Sequence, residues 1–440
     1  MEPKSLIQII SEEEFLQMVQ YPAEEFFRVY NTFSRKIKHN PHASRKFYST
    51  LIQEAEFLEV FLDDHGAREN KQWFFFAECV ASIRNLAIAC FYIRHLLDRY
   101  PYYNLRESVE SKRQFISSAH ETLAFLNDGI LDIYQELIIT GQNLGLVLPD
   151  DNVSPEGFAE VESNKRLPRN ISEDEVINEE QRIIELCERI KSVAETMKQV
   201  KISPTNDHEK LKAMVPWMID EKKARMYKNI VHSVQSDFDT YVKNTVLEYE
   251  NEDLKKLRGY ISMPLHLLEF VLWLCHFYER HEDEIRHGES RKKISTLVDK
   301  NKLLDRIINF GFYYSLYFIQ DCSRLAEEIL QQFVKVEQRE FPIPTPLGFH
   351  ARPSTYLSLI CRNYGEDLFL LIDEEKFNAK SVMSMLQAGG LLADKGYKTV
   401  LFEGSKRVLD DVKILSDHNY CEEKDIPGSL SYLRSMKNTG

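Results

Sequence analysis

The sequence lacks several residue patterns that accompany common enzymatic activities. It has no G-x-x-x-x-G-K-[ST], which excludes an ATP-dependent kinase of the P-loop type, and no G-x-G-x-x-G for a dinucleotide. H-E-x-x-H, the zinc pattern, is missing, and the helical part contains neither G-x-S-x-G nor C-x-x-C. No cofactor is therefore predicted. An enzyme whose site lies in the helical part without a recognisable motif is kept as a weaker hypothesis, beside the two given below.

The sequence also has few cysteines, fewer basic than acidic residues and few long apolar runs. The seven cysteines lie far apart, which predicts reduced thiols in a cytoplasmic protein. A net charge of −13 argues against a nucleic-acid partner. The N-terminus has no signal-peptide pattern. Three aromatic-rich runs, 73–93, 265–278 and 307–319, are charged or short, so we expect core helices and no membrane insertion.

Residues 1–336 show the apolar spacing of α-helices almost throughout. Pro22 and Pro264 are each predicted to occupy the first turn of a helix, and Asn127-Asp128-Gly129 is predicted to break one. The predicted helices start at 11 and then cover 23–37, 41–64, 68–99, 105–126, 130–139, 172–200, 221–249, 264–287 and 301–336.

Composition divides the 440-residue chain into several parts. We predict an all-α N-terminal region in a multidomain protein, interrupted at 141–170 by a linker or long loop rich in Gly and Pro. The predicted parts are 1–140, 141–170, 171–336, 337–417 and a tail at 418–440, and 171–336 could form one domain with 1–140. Oligomeric state is not predicted.

The pattern changes after residue 336, where short β-type runs alternate with helices. Phe341-Pro342-Ile343-Pro344 suits an edge strand, because proline is tolerated there. A helix at 351–364, strands at 368–372 and 376–379, a short helix after Ser381, a strand at 397–402 and a helix at 406–416 follow. This order, βαββαβα, predicts a small α+β open-faced sandwich for 337–417.

A loop closed by Gly348 delivers a histidine onto the start of a predicted helix. His350 takes the N-cap position, where the N–H groups of Ala351 and Arg352 and the Arg352 guanidinium could bind an anion. Pro353 suits the first turn. Positive potential there disfavours a protonated imidazole, so we expect a neutral, nucleophilic His350 that accepts a phosphoryl group, stabilised by Arg352. The plain alternative is a loop histidine with one hydrogen bond.

Residues 348–353 resemble the phosphohistidine motif G-[LF]-H-A-R-P of the HPr family, the histidine phosphocarriers of the bacterial sugar phosphotransferase system. Asn378-Ala379-Lys380-Ser381 resembles the family's second motif. The resemblance covers about the last quarter of the chain. It implies phosphorylation of His350 on Nδ1 and a candidate regulatory phosphorylation at Ser381, whose plain alternative is an N-cap serine.

The same resemblance implies an apolar surface between the first two helices of the domain, where partner proteins dock. The residues that would supply this partner-docking surface are Phe349, Tyr356, Val382, Met383 and Leu386. The alternative is that several of them belong to the hydrophobic core.

Several potential metal ligands crowd one predicted helix, namely His276, Glu279, His281, Glu282, Glu284 and His287. Glu284 and His287 form a Glu-x-x-His pair, but a di-iron bundle needs a second such pair on another helix. None is found, so a solvated helix end is favoured and no metal site is predicted.

Two hypotheses of different class follow. In the first, the protein is a phosphocarrier: an Enzyme I-like donor phosphorylates His350, which passes the group to a histidine or cysteine acceptor, and an HPr kinase is a candidate partner for Ser381. In the second, the helical region binds a target and the HPr-like domain senses phosphorylation state. In both, the chain is a substrate of partner enzymes more than a stand-alone enzyme.

Overall fold

The structure, a computed structural model, describes residues 8–39, 43–153, 167, 179–281, 289–333, 336–422 and 425–437. The chain divides into two compact units, Met1–Ile329 and Leu330–Gly440. The first is helical, and the second contains a small antiparallel sheet with helices. The predicted combination of an all-α region with a C-terminal α+β region is confirmed.

The part of the chain before the sheet is built from helices, some longer and some shorter than their sequence signals indicate. Those described are α1 (Glu12–His39), α2 (Arg45–Asp64), α3 (Phe74–Arg99), α4 (Val109–Asn143), α5 (Glu179–Lys198), α6 (His208–Met214), α7 (Glu221–Tyr241), α8 (Val246–Glu250), α9 (Glu252–His281), α10 (Glu289–Leu297), α11 (Lys300–Asp305) and α12 (Tyr313–Phe333). Much of the predicted linker at 141–170, and the ends of the helices predicted at 172–200 and 264–287, lie outside the described residues.

Neither Pro22 nor Pro264 starts a helix, so both predictions are wrong. Each proline lies inside a continuous helix, α1 or α9. An internal proline removes one helical hydrogen bond and costs about 3 kcal/mol. Burial on both sides offsets that cost: Val19 and Phe26 flank Pro22 and are fully buried, and α9 is buried along most of its length.

The predicted break at 127–129 is also wrong, because α4 continues through it. The Asn127 side chain is buried and its Oδ1 accepts a hydrogen bond from the Tyr48 hydroxyl at 2.8 Å. Gly129 permits a close approach: a Cβ there would lie 3.3 Å from Val298 Cγ2. Tertiary packing thus overrides turn-forming residue types.

The helix predicted at 301–336 is divided, since a π-helical stretch, Arg306–Phe312, joins α11 to α12. Gly311 lies in it, and a Cβ at that position would lie 2.5 Å from Val271 Cγ2 on α9. The helix predicted at 221–249 is divided too, between α7 and α8, where Asn244 is left-handed with a φ of 67°.

Two helical segments, Phe74–Tyr102 and Glu252–His281, are long and apolar enough to cross a membrane by length and composition. Their most apolar windows are 72% and 78% buried inside the structure. Burial of that extent is also what the core helix of a folded bundle shows, and α3 and α9 pack on each other.

The C-terminal unit is built on a four-stranded antiparallel sheet in the order β1-β4-β2-β3. The elements are β1 (Val336–Pro342), α13 (Ala351–Tyr364), β2 (Leu368–Ile372), β3 (Glu375–Asn378), α14 (Val382–Lys395), β4 (Thr399–Ser405), α15 (Lys406–Asp417) and α16 (Tyr432–Lys437). Strand β1 lies at an edge, as predicted, but it covers Val336–Pro342 and not the predicted 341–344. Strand β4 runs over Thr399–Ser405, two to three residues later than the strand predicted at 397–402.

The core of this unit lies between the sheet and its helices, and residues beyond 417 contribute to it. Tyr420, Leu430 and Leu433 are fully buried in the same cluster as the sheet residues Leu370 and Phe402. The described residues of the predicted tail, 418–422 and 425–437, therefore pack as part of the C-terminal unit.

Candidate functional site

The loop before α13 places His350 through local backbone geometry. Gly348 has a φ of 65°, in the left-handed region that glycine adopts without a steric penalty. Its N–H donates to the Pro344 carbonyl at 2.9 Å, and the His350 N–H donates to the Gly348 carbonyl at 2.9 Å. His350 itself is extended and is the N-cap of α13, as the sequence predicts.

Both ring nitrogens of His350 have a partner. Nδ1 accepts from the backbone N–H of Arg352 at 3.4 Å, and Nε2 lies 2.6 Å from Oε1 of Glu422. A backbone amide can only donate, and an ionised carboxylate can only accept. The two contacts together therefore select the neutral tautomer with hydrogen on Nε2. The Nδ1 lone pair then points to the start of α13.

The first turn of α13 also carries the two predicted phosphate-binding residues, Ala351 and Arg352, and both are exposed. Arg352 Nη1 donates to the backbone carbonyl of Glu422 at 2.8 Å. That bond ties the guanidinium to the residue whose side chain contacts the imidazole. The His350 side chain is 31% exposed, so the ring is held on one edge and open on another.

A left-handed turn carries Glu422 to the histidine. Asn419, Tyr420 and Cys421 have φ values of 49°, 53° and 57°. Each such non-glycine residue costs about 1–2 kcal/mol. Packing offsets this cost: Tyr420 is fully buried, its hydroxyl donates to the Pro342 carbonyl at 3.0 Å, and its ring lies 5.3 Å from that of Phe349.

The Asn419 side chain also ties the turn to the loop before His350. Its Nδ2 donates to the Thr345 carbonyl at 2.6 Å, while its Oδ1 accepts the Thr345 N–H at 3.0 Å. These two hydrogen bonds join the loop with the histidine to the turn with the carboxylate. Sequence reasoning missed Glu422, Asn419 and Tyr420, because no motif spacing relates them to a residue about 70 positions earlier.

The residues of the partner-docking surface separate into two groups. Phe349 and Tyr356 are only 2% and 5% exposed and belong to the core, so the prediction that they face a partner is corrected. Phe349 packs edge-on against Phe402 of the sheet at 5.9 Å. Met383 and Leu386 are exposed and Val382 is half-buried, all three at the start of α14.

Ser381 is the N-cap of α14, and its Oγ accepts the Ser384 N–H at 3.2 Å. The side chain is exposed. Capping by Ser381 agrees with the plain alternative to a regulatory site. Its exposed side chain is also accessible to a modifying enzyme. The loop before it is anchored to α13, since Ser358 donates to the Lys380 carbonyl at 2.8 Å.

Each described residue of the candidate metal cluster makes its own hydrogen-bond contact. His276 Nδ1 pairs with Glu221 at 2.8 Å, Glu279 accepts the Glu221 N–H at 2.7 Å, and His281 Nε2 lies 3.1 Å from Ser82 Oγ. Glu282, Glu284 and His287 lie outside the described residues. Within the described part of the chain, no group of three suitable ligands could hold a metal ion.

The helical unit has a polar cavity of about 480 Å³ between α2, α3 and α9. Its lining includes Glu59, Asp63, Arg68, Glu78, Arg84, Asn85, His276, Arg280 and His281. The Arg68 guanidinium binds the carboxylates of Glu59, Asp63 and Glu78. Arg68, which follows α2 in the chain, thus joins α2 to α3 through its ion pairs with Glu59 and Glu78.

Gly389 of α14 fixes how closely this helix approaches the loop at Phe349. A Cβ at Gly389 would lie 2.6 Å from the Phe349 carbonyl oxygen. We expect Gly389→Ala to destabilise the C-terminal unit by about 1–3 kcal/mol, because backbone cannot move aside as a side chain can. Faster hydrogen exchange of α13 and α14 in the full chain would measure the loss.

Gly390 supplies the matched control, since a Cβ there meets nothing within 4 Å. We expect Gly390→Ala to stabilise α14 by about 0.4–1 kcal/mol, through the lower entropy of its unfolded state. Equal exchange rates in the two alanine variants would contradict the close approach at Phe349.

Comparison with known proteins gives a match in the C-terminal unit alone. Residues 337–396 match the family described as "PTS HPr component phosphorylation site", which confirms the resemblance. No curated protein and no solved structure gives a significant match to the chain. The matched segment includes His350 and Ser381 and ends before the turn with Glu422. The chain thus has an HPr-family segment at 337–396, within the C-terminal unit, and nothing is recognised in its helical N-terminal region.

Proposed function

We propose that this protein is a phosphoryl carrier of a phosphotransferase system. His350 accepts the group on Nδ1 from a phosphorylated histidine of an Enzyme I-like donor, and passes it to a histidine or cysteine acceptor. One observation carries the proposal: the His350 tautomer leaves the Nδ1 lone pair at the start of α13, facing the backbone N–H of Arg352. The HPr-family match supports the same chemistry.

The transfer step balances without an additional reagent. The Nδ1 lone pair forms a bond to phosphorus while the bond from phosphorus to the donor nitrogen breaks, and the donor ring leaves with that electron pair. No proton leaves Nδ1, because the hydrogen of this tautomer is on Nε2. The helix-start amides and Arg352 then face the phosphoryl oxygens, where positioning and charge stabilisation supply most of the catalysis.

The partners follow from the same proposal. Met383 and Leu386 give the start of α14 an exposed apolar surface suited to docking a donor or acceptor protein. Ser381, at the same end of α14, is the proposed target of an HPr kinase. We place the protein in the bacterial cytoplasm, where its seven buried free thiols would stay reduced. The βαββαβα order of the C-terminal unit supports an open-faced sandwich of the HPr type.

The test is incubation of the full chain with Enzyme I and phosphoenolpyruvate, read by intact mass. We expect one phosphoryl group per chain, labile in acid and stable in alkali as phosphohistidine is. Addition of a sugar-specific acceptor should remove it. A chain that takes no label from any Enzyme I tested would contradict the carrier role.

A labelled chain that never releases the group to an acceptor would favour the second hypothesis, in which His350 is a switch. That role predicts a change in binding by the helical unit after phosphorylation. Affinity capture with phosphorylated and unphosphorylated chain, compared side by side, separates the two roles.

A further inference from the structure

We infer that Glu422 is a positioning residue for phosphoryl transfer, which holds the His350 ring in the Nε2–H tautomer and stabilises the positive charge that the ring gains on phosphorylation. The stabilisation of the phosphorylated ring by Glu422 rests on the proposed function. The choice of tautomer in the unphosphorylated ring does not. Its basis is the 2.6 Å contact between Nε2 and Oε1, made by a carboxylate whose side chain is only 8% exposed.

The carboxylate contact, rather than the helix start, decides the tautomer. The Arg352 N–H reaches Nδ1 at 3.4 Å, which is a long and weak hydrogen bond. At 2.6 Å, the bond from Nε2 to Glu422 is short and charge-assisted. A carboxylate on the far ring nitrogen sets the orientation of the reactive nitrogen in the same way in hydrolase triads and metal sites.

The turn before Glu422 indicates that this placement is built into the fold. Three consecutive non-glycine residues, 419–421, adopt left-handed backbone angles, and such strain is found where surrounding contacts enforce it. Two independent anchors do so here, the buried Tyr420 ring and the Asn419 clamp on Thr345. The backbone of Glu422 contributes as well, because its carbonyl holds the Arg352 guanidinium.

Both directions of transfer benefit from a proton kept on Nε2. When Nδ1 bonds to phosphorus, the ring becomes a phosphoimidazolium, and its charge lies beside the Glu422 carboxylate. When the group moves on, the N–P bond breaks and the ring leaves as neutral imidazole with the electron pair. Without a hydrogen on Nε2, the leaving group would be an imidazolate, which is far less stable.

The first experiment reads the tautomer in the unphosphorylated full chain. Histidine labelled with ¹⁵N gives long-range ¹H–¹⁵N correlations that distinguish a protonated from an unprotonated ring nitrogen. We expect the Nε2–H pattern at His350 in the natural protein. Glu422→Ala should give a mixture of tautomers, whereas Glu422→Gln should retain Nε2–H, because the amide oxygen still accepts.

The second experiment measures transfer to an acceptor with the same variants. We expect Glu422→Ala to slow transfer about 10–100-fold, the range found when a residue that orients a metal-bound histidine is removed. Glu422→Gln should also be slow, because it keeps the hydrogen bond but removes the charge. Asp417→Ala, an exposed acid in the same unit, should transfer at the natural rate.

The outcomes are separable. An unchanged tautomer and unchanged rates in Glu422→Ala, with α13 and α15 still protected from hydrogen exchange, would overturn the inference. If that variant is unfolded, Glu422→Gln decides, since a natural transfer rate would overturn the charge role. If the natural chain takes no label but its tautomer changes in Glu422→Ala, the carrier proposal fails and the positioning of the ring stands.

Discussion

Replacing His350 by alanine is expected to lower phosphoryl labelling by Enzyme I and phosphoenolpyruvate at least about 1,000-fold, since loss of a nucleophile removes the reaction path itself. Nδ1 is the ring atom that faces the amides of α13, and alanine leaves those amides without a nucleophile. Intact mass of the full chain, followed over time, measures the effect.

His418 is the matched control because it lies in the same unit but at the C-terminal end of an α-helix. It follows α15, and its Nδ1 lies 2.9 Å from the Ile414 carbonyl. We expect His418→Ala to accept label at the natural rate. Label retained by His350→Ala would remove both the carrier and the switch role from that residue. Acid-stable label would point instead to a serine such as Ser381.

The parts of the site that the sequence predicts are those set by local chemistry. Helix α13 begins and ends at the predicted residues, since His350 caps its start and Gly365, with a φ of 68°, ends it in the left-handed conformation. Ser381 likewise caps α14. Caps depend on a few adjacent residues, so a short pattern contains the information.

The parts that the sequence does not predict depend on contacts between distant residues. Glu422 reaches His350 across 72 positions, and only the packing of Tyr420 and Asn419 determines where the turn goes. The burial of Phe349 has the same origin, because an exposed and a core phenylalanine are indistinguishable in a six-residue motif. The wrong predictions at Pro22, Pro264 and Gly129 have the same cause, since buried surroundings outweigh local preference.

In the charged network of the helical unit, Arg68 is expected to make a large contribution to stability. Arg68 lies 2.8 Å from Glu59 and 2.6 Å from Asp63, and it also pairs with Glu78. The side chains of Glu59 and Glu78 are only 12% and 8% exposed. Burial raises the pKa of Glu59, and the positive charges of Arg84 and Arg68 oppose that shift without cancelling it.

Replacing Arg68 by methionine is therefore expected to destabilise the helical unit by about 3–5 kcal/mol near neutral pH, the usual cost of leaving a buried charge without its partner. Denaturant unfolding followed by tryptophan fluorescence measures it, because all three tryptophans lie within Met1–Ile329. Arg113→Met is the control: Arg113 and Glu110 are 75% and 62% exposed at 3.5 Å, so the expected change is below about 1 kcal/mol.

The loss in Arg68→Met should also depend on pH in a definite direction. A carboxyl whose pKa is raised in the folded state destabilises that state while it is ionised, and the penalty disappears as the pH falls through the raised value toward the unfolded one. Without Arg68, the pKa of Glu59 rises further above its ordinary value. The variant should therefore approach the natural protein in stability at mildly acidic pH. A difference that is constant from neutral to acidic pH would mean that Arg68 stabilises the unit by packing alone.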